Sequence, residues 1–159
     1  DSIAWIFNIR GSDVDCTPLV LSFAILYSNS KAKLFIDPDK LNEDVLNHLS
    51  QKVSCFAKDD FVNHLEKLGD DGLSAVVDPK KTHSAVFETL EKAKVKIIEA
   101  DDPIQMDKAC KNDAELDGAR EAHKRDAVAV ARFLCWIDKH GSSGKINEID
   151  AVNKLYEGH

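Results

Sequence analysis

A short polar run near the start of the chain contains the residue types best suited to binding a ligand. It reads NIRGSD from Asn8 to Asp13 and follows an apolar stretch. Arg10 offers a rigid fork of N–H donors that matches a carboxylate, and Gly11 allows the backbone to turn tightly. The plainer interpretation is a β-turn in which Arg10 pairs with Asp13. Both interpretations place the run at the end of a strand predicted over residues 3 to 9.

Residues for metal-dependent or nucleophilic catalysis are not grouped in the sequence. A two-metal hydrolase needs several carboxylates and a histidine within a few ångströms of one another. Glu115 and His123 come nearest, but a helix would hold them about 12 Å apart along its axis. His123 also falls on an apolar stripe, where we expect a core histidine. We therefore predict no catalytic residue and no metal ligand in this chain.

Cys16 is the candidate for a nucleophile. The aspartates that precede it would disfavour the negatively charged thiolate that such chemistry needs. A cysteine hydrolase therefore stays as an alternative that alkylation of Cys16 would test.

Composition and charge exclude two classes of partner. The formal net charge is −7, whereas a protein that binds a nucleic-acid backbone needs clustered Lys and Arg. No apolar run approaches the roughly 20 residues that a bilayer span requires. The four cysteines are widely scattered and follow no metal-binding or disulfide spacing. We expect a cytoplasmic domain with reduced thiols and with neither a nucleic acid nor a membrane as partner.

The hydrophobic pattern predicts an α/β fold. Residues 18 to 28 and 31 to 37 are rich in β-branched and aromatic residues, and Asn29-Ser30 between them is short enough for an antiparallel hairpin. After Pro38 helices and strands alternate, which implies β-α-β crossovers and a mixed sheet with helices on its faces. The predicted elements are helix 42 to 52, strand 53 to 57, helix 59 to 68, strand 73 to 77, helix 80 to 93 and strand 95 to 99.

The last third of the chain predicts a long helix followed by a shorter one. Asn112 is the expected N-cap of the long helix, with Glu115 as its reciprocal partner, and Gly141 is the expected left-handed C-cap. The final helix starts near Asn147, with Asp150 in the reciprocal position. Its apolar side finds no partner surface among the predicted elements.

These observations divide the chain into two domains. We expect residues 1 to 104 to form a non-catalytic α/β domain, and residues 105 to 159 to form a linker and the first helices of a truncated domain. Because the chain starts at Asp1 and ends just after an amphipathic pattern, we expect it to be a piece of a longer polypeptide.

Two segments resemble one enzyme family. Residues 5 to 13 fit the pattern W-x-F-N-x-R-G-S-D, and residues 108 to 129 contain KACKNDAE, REAH and DAVA. Together they resemble aminopeptidase P, the Xaa-Pro aminopeptidase family of the creatinase/prolidase superfamily, whose catalytic domain has the pita-bread fold. The resemblance implies that residues 1 to 104 are the middle, creatinase N-terminal-like domain with its RNase H-like motif. It also implies that the long helix opens the catalytic domain.

The resemblance implies a function for the parent protein. Such an enzyme removes the N-terminal residue that precedes proline and uses two divalent metal ions, expected to be manganese. The family's metal ligands come from the pita-bread sheet, so we expect them to lie beyond the C-terminus of this chain and expect the fragment alone to be inactive. The implied partners are the remainder of its own chain, a second copy in a homodimer and a proline-containing peptide substrate.

The resemblance also implies a role for the polar turn. In this superfamily the domain before the catalytic one borders the active-site cleft. Trp5, Asn8, Arg10 and Asp13 are therefore predicted to face the substrate. The alternative is a stand-alone α/β interaction module without activity, and the length of the open reading frame after His159 discriminates between the two.

Overall fold

A computed structural model describes residues 1–158 of the chain. The chain forms two compact units, Asp1–Ala109 and Cys110–His159. The predicted domain boundary, between residues 104 and 105, lies slightly before this division. The two units are described separately below.

The first unit contains two small sheets. Strands β1 (Phe23–Leu26), β2 (Ala32–Phe35) and β3 (Val53–Phe56) form one sheet, and β4 (Ser74–Val77) and β5 (Lys96–Glu99) form the other. β1 and β2 are antiparallel, whereas β2 pairs with β3, and β4 with β5, in parallel. The predicted α/β fold class is confirmed, but its single mixed sheet appears as two hydrogen-bonded sheets.

The connections explain this topology. Ser30 takes a left-handed conformation, with φ of 63°, in the tight hairpin predicted between β1 and β2. Helices supply the two parallel crossovers, as the alternating pattern predicted. The helices of the first unit are α1 (Ser2–Ile6), α2 (Glu43–His48), α3 (Phe61–Asp70), α4 (Ser84–Lys92) and α5 (Ile104–Ala109).

Two apolar clusters form the core of the first unit. One surrounds Leu34 of β2, which is fully buried, and includes Phe7, Ile9 and Val20. The other surrounds Leu90 and contains side chains of α3, α4, β4 and β5.

The strand predicted over residues 3 to 9 is wrong, because the segment forms α1 and a turn. The side chain of Asp1 accepts a hydrogen bond from the N–H of Ser2, which caps the helix. Ala4 and Phe7 are both buried, and their spacing of three places them on one helical face. The short helix α1 thus buries Ala4 and Phe7, although the β-branched residues beside them favour a strand.

The second unit contains α6 (Asp113–His140) and α7 (Glu148–Tyr156). Both predicted capping boxes are present: Asn112 and Glu115 exchange hydrogen bonds at the start of α6, and Asn147 and Asp150 do so at the start of α7. The left-handed C-cap predicted at Gly141 is wrong. Gly141 continues in right-handed geometry, and the left-handed residue is Gly144, with φ of 65°.

The apolar stripe of α6 is mostly exposed. Among the described residues of this helix only Ala129 is buried, and Leu134 is 58% exposed. The expected core histidine, His123, is also exposed, with its Nδ1 2.8 Å from the carbonyl oxygen of Ala119. On α7 the side of Ile149 and Val152 is open, as the sequence predicted. Over residues 1–158, no helix combines the length and apolar character needed to cross a bilayer.

Candidate functional site

The polar turn is positioned by the end of α1. Asn8 is left-handed, with φ of 48°, and its N–H donates to the carbonyl of Trp5 at 3.1 Å. The N–H of Ile9 donates to the carbonyl of Ala4 at 3.0 Å. This pair of bonds is the Schellman arrangement, in which a left-handed residue after the helix satisfies its last carbonyls. The turn therefore leaves the helix in a fixed direction.

Arg10 is held against the same helix end. Its Nη1 donates to the carbonyl oxygen of Ile9 at 3.0 Å and lies 3.4 Å from that of Ala4. The residue is nevertheless exposed. Both bonds use Nη1, and a guanidinium has further N–H donors on Nη2 and Nε. The sequence-based alternative, a pair between Arg10 and Asp13, is not formed, because Arg10 binds backbone carbonyls and Asp13 binds other donors.

Asp13 fastens the turn to two other parts of the unit. Its carboxylate accepts a hydrogen bond from the N–H of Leu21 at 2.8 Å and another from the ammonium of Lys40. The bond from Lys40, followed by that from Leu21, holds the pKa of Asp13 below its ordinary value. The side chain is only 14% exposed. In this geometry Asp13 acts as an anchor of the turn.

Gly11 is needed because the turn passes close to the segment before β1. A Cβ at Gly11 would lie 2.8 Å from the Cβ of Val20 and 3.0 Å from the carbonyl oxygen of Leu19. Any larger residue would push the turn away from this segment. The sequence analysis expected Gly11 to allow a tight turn. In the structure, Gly11 is required because it packs closely against Leu19 and Val20.

The turn forms one wall of an open pocket of about 470 Å³. Of the predicted substrate-facing residues, Asn8, Arg10 and Asp13 line this pocket, whereas Trp5 is not among its lining residues. Both Asn8 and Arg10 are exposed. The predicted site thus comes together in three of its four residues, and their substrate contact stays a prediction.

The pocket is also lined by residues that the sequence analysis missed. Lys40, Asp44 and His48 line the pocket, and Nε2 of His48 lies 3.1 Å from the carbonyl oxygen of Phe7. These residues come from α2 and the short helical turn before it. No local signal in the sequence connects them with residues 8 to 13, because the fold alone brings the two segments together.

Residues 1–158 contain no group of three His, Cys, Asp or Glu side chains placed to hold a metal ion. Cys16 lies in an exposed turn, with φ of 56°, between the paired residues Val14 and Thr17.

Comparisons with known proteins agree on one family. The family model for the creatinase/prolidase N-terminal domain matches residues 1–115. A probable Xaa-Pro aminopeptidase P from Paracoccidioides lutzii is 35% identical, over 99% of this chain and 27% of its own length. An uncharacterized peptidase of Schizosaccharomyces pombe is 33% identical, over 98% of this chain and 25% of its own length.

A solved structure has the same fold. It is the X-prolyl aminopeptidase of Caenorhabditis elegans, described as a cytosolic enzyme with a di-nuclear active site. The TM-score is 0.87 and the identity 29%, over 99% of this chain and 26% of that protein. The chain thus spans about a quarter of the length of the relatives it matches. By sequence and by fold, the chain belongs to the creatinase/prolidase N-terminal domain family.

Proposed function

We propose that this chain is the non-catalytic middle domain, with the first helices of the catalytic domain, of an Xaa-Pro aminopeptidase. The observation that carries the proposal is the match of 99% of the chain to about a quarter of an X-prolyl aminopeptidase, at a TM-score of 0.87. The parent enzyme would remove an N-terminal residue that precedes proline. This chain would support the packing between domains and form one wall of the active-site cleft.

The turn from Asn8 to Asp13 would be the part of that wall that meets the substrate. Arg10 is fixed through Nη1 and is exposed, so its remaining N–H groups are available to a peptide carbonyl or carboxylate. Asp13 would hold the turn in place through Leu21 and Lys40. Asn8, which lines the same pocket, would lie beside Arg10 on the substrate side. Trp5 does not line this pocket, and its contact with the substrate stays a proposal from the family resemblance.

The catalytic chemistry would reside in the remainder of the parent protein. The relative in Caenorhabditis elegans has a di-nuclear site, which supports two divalent metal ions, with manganese as the expected metal. We further propose a cytoplasmic enzyme, in keeping with that relative, which is described as cytosolic. We also propose that the parent enzyme works as a homodimer.

Hydrolysis by two purified proteins tests the proposal. The product of the complete open reading frame should release the first residue of an Xaa-Pro peptide, lose this activity after chelation, and recover it with Mn²⁺. The 159-residue chain should release nothing under the same conditions. Activity of the short chain would contradict the proposal, and a reading frame that stops after His159 would leave the stand-alone interaction module.

A further inference from the structure

A slot separates the two sheets of the first unit. It has a volume of about 600 Å³, and all residues of β1 and of β4 line it. The two strands nevertheless belong to one core, because Ile25 and Tyr27 pack against the cluster that contains Val77 and Leu90. The two sheets are therefore neighbours, and their edge strands β1 and β4 both border the slot.

Within residues 1–158, neither strand edge that borders the slot has a hydrogen-bonding partner strand. Among residues 1–158, β1 pairs only with β2 and β4 only with β5. Along a β-strand, the backbone N–H and C=O groups of successive residues point alternately toward the strand on one side and toward the strand on the other. The bond from the N–H of Tyr27 to the carbonyl of Lys31 fixes this alternation in β1, and it turns Ala24 and Leu26 toward the slot.

The same reasoning applies to β4. The N–H of Ala100 donates to the carbonyl of Val77 at 3.1 Å, so Val77 faces β5 and the backbone of Ser74 and Val76 faces the slot. Side chains beside the slot are open as well: Leu26 is 47% and Val76 62% exposed. An open, apolar strand edge is a template for a further strand.

The start of the chain lies at one end of the slot. Ser2 and Ile3 line it, and the hydroxyl of Ser2 donates to the carboxylate of Asp102. Asp102 follows β5, and its N–H donates to Asp78, which directly follows β4, at 2.9 Å. Polypeptide that enters at Asp1 therefore arrives at the edge where the parallel strands β4 and β5 end.

We propose that the residues directly preceding Asp1 in the parent polypeptide form a β-strand that fills this slot. A strand that ends at Asp1 runs parallel to β4, and four residues at about 3.3 Å each cover its length. Its side chains are apolar and β-branched, because they meet the two core clusters. The two sheets then become one continuous sheet, in the order β3-β2-β1-new strand-β4-β5.

NMR spectroscopy of the polypeptide that includes the encoded upstream residues tests the proposal. Couplings across hydrogen bonds should connect the N–H of Leu26 and of Val76 to carbonyls of the upstream segment. Their hydrogen exchange should be at least 100-fold slower than in a control polypeptide in which Gly and Ser replace that segment. The N–H groups of Ile25 and Val77, which face existing partners, should change much less.

Three results would overturn the proposal. The first is the absence of couplings from Leu26 and Val76 to upstream carbonyls. The second is protection that develops in the 159-residue chain as its concentration rises, which would identify a second copy as the occupant. The third is an open reading frame without codons for such a segment before Asp1.

Discussion

The carboxylate of Asp13 pairs with the ammonium group of Lys40, which lies 27 residues later in the chain. This pair and the bond to Leu21 connect the turn after α1 with the segment before β1 and with the short helical turn after β2. The turn is therefore a fixed part of the domain, and the exposed Arg10 is presented from a defined position.

The ionisation of Asp13 should make the first unit sensitive to acid. Its pKa is lowered in the folded state, so its contribution to stability is present above the unfolded pKa of about 3.9 and is lost as the pH falls through the folded value. Urea unfolding at a series of pH values should show weaker acid destabilisation in Asp13→Asn than in the wild type. Both proteins would carry Trp136→Phe, so that the fluorescence of Trp5 reports on the first unit alone. Asp15→Asn, in the same exposed loop, is the control and should keep the wild-type pH dependence.

The left-handed geometry of Asn8 can be tested with two substitutions. Asn8→Ala should destabilise the first unit by about 1 kcal/mol, because a Cβ without a polar group disfavours this conformation. Asn8→Gly should be close to neutral, because Gly adopts the conformation without strain. The urea midpoints of the two variants give the comparison. Equal destabilisation by Ala and Gly would show that the side chain matters for another reason.

Two helical glycines should respond in opposite ways to alanine. A Cβ at Gly69 of α3 would lie 2.0 Å from the carbonyl oxygen of Ala93, just after α4, so Gly69→Ala should destabilise the domain by about 3 kcal/mol.

A Cβ at Gly118 of α6 would meet no atom within 4 Å, so Gly118→Ala should stabilise its helix by up to about 1 kcal/mol. Hydrogen exchange of α3 and α6 measures each effect in its own unit. A tolerated Ala at position 69 would contradict the close approach of the two helices.

The extent to which sequence predicted the structure differs along the chain. The α6 helix was predicted from Asp113 to His140, as observed, because the Asn112–Glu115 capping box marks its start with local interactions. The hairpin at Asn29-Ser30 is also predicted from sequence, because its hydrogen bonds join residues that are close together in the chain. The two open edges could not be anticipated, because strand pairing depends on contacts between distant segments.

The opening segment shows why local patterns can mislead. The alternation from Ile3 to Ile9 favours a strand, but a capping aspartate and a left-handed Asn8 fit a single helical turn. The sequence does contain a signal for this helix end, because Asn8 is followed by the apolar Ile9, and Asn often takes the left-handed position after a helix. At the pocket, Asn8, Arg10 and Asp13 could be singled out from their residue types, whereas Lys40, Asp44 and His48 join them only through folding.

The kinetics of Arg10→Ala in the full-length enzyme test most directly whether this domain contributes a wall of the active-site cleft. The account predicts a decrease of about tenfold in kcat/KM for an Xaa-Pro peptide, corresponding to roughly 1.4 kcal/mol, with the urea midpoint reduced little. Lys31→Ala, at an exposed cation in the β1–β2 hairpin, should leave kcat/KM unchanged. An unchanged kcat/KM in a folded Arg10→Ala enzyme would contradict the account.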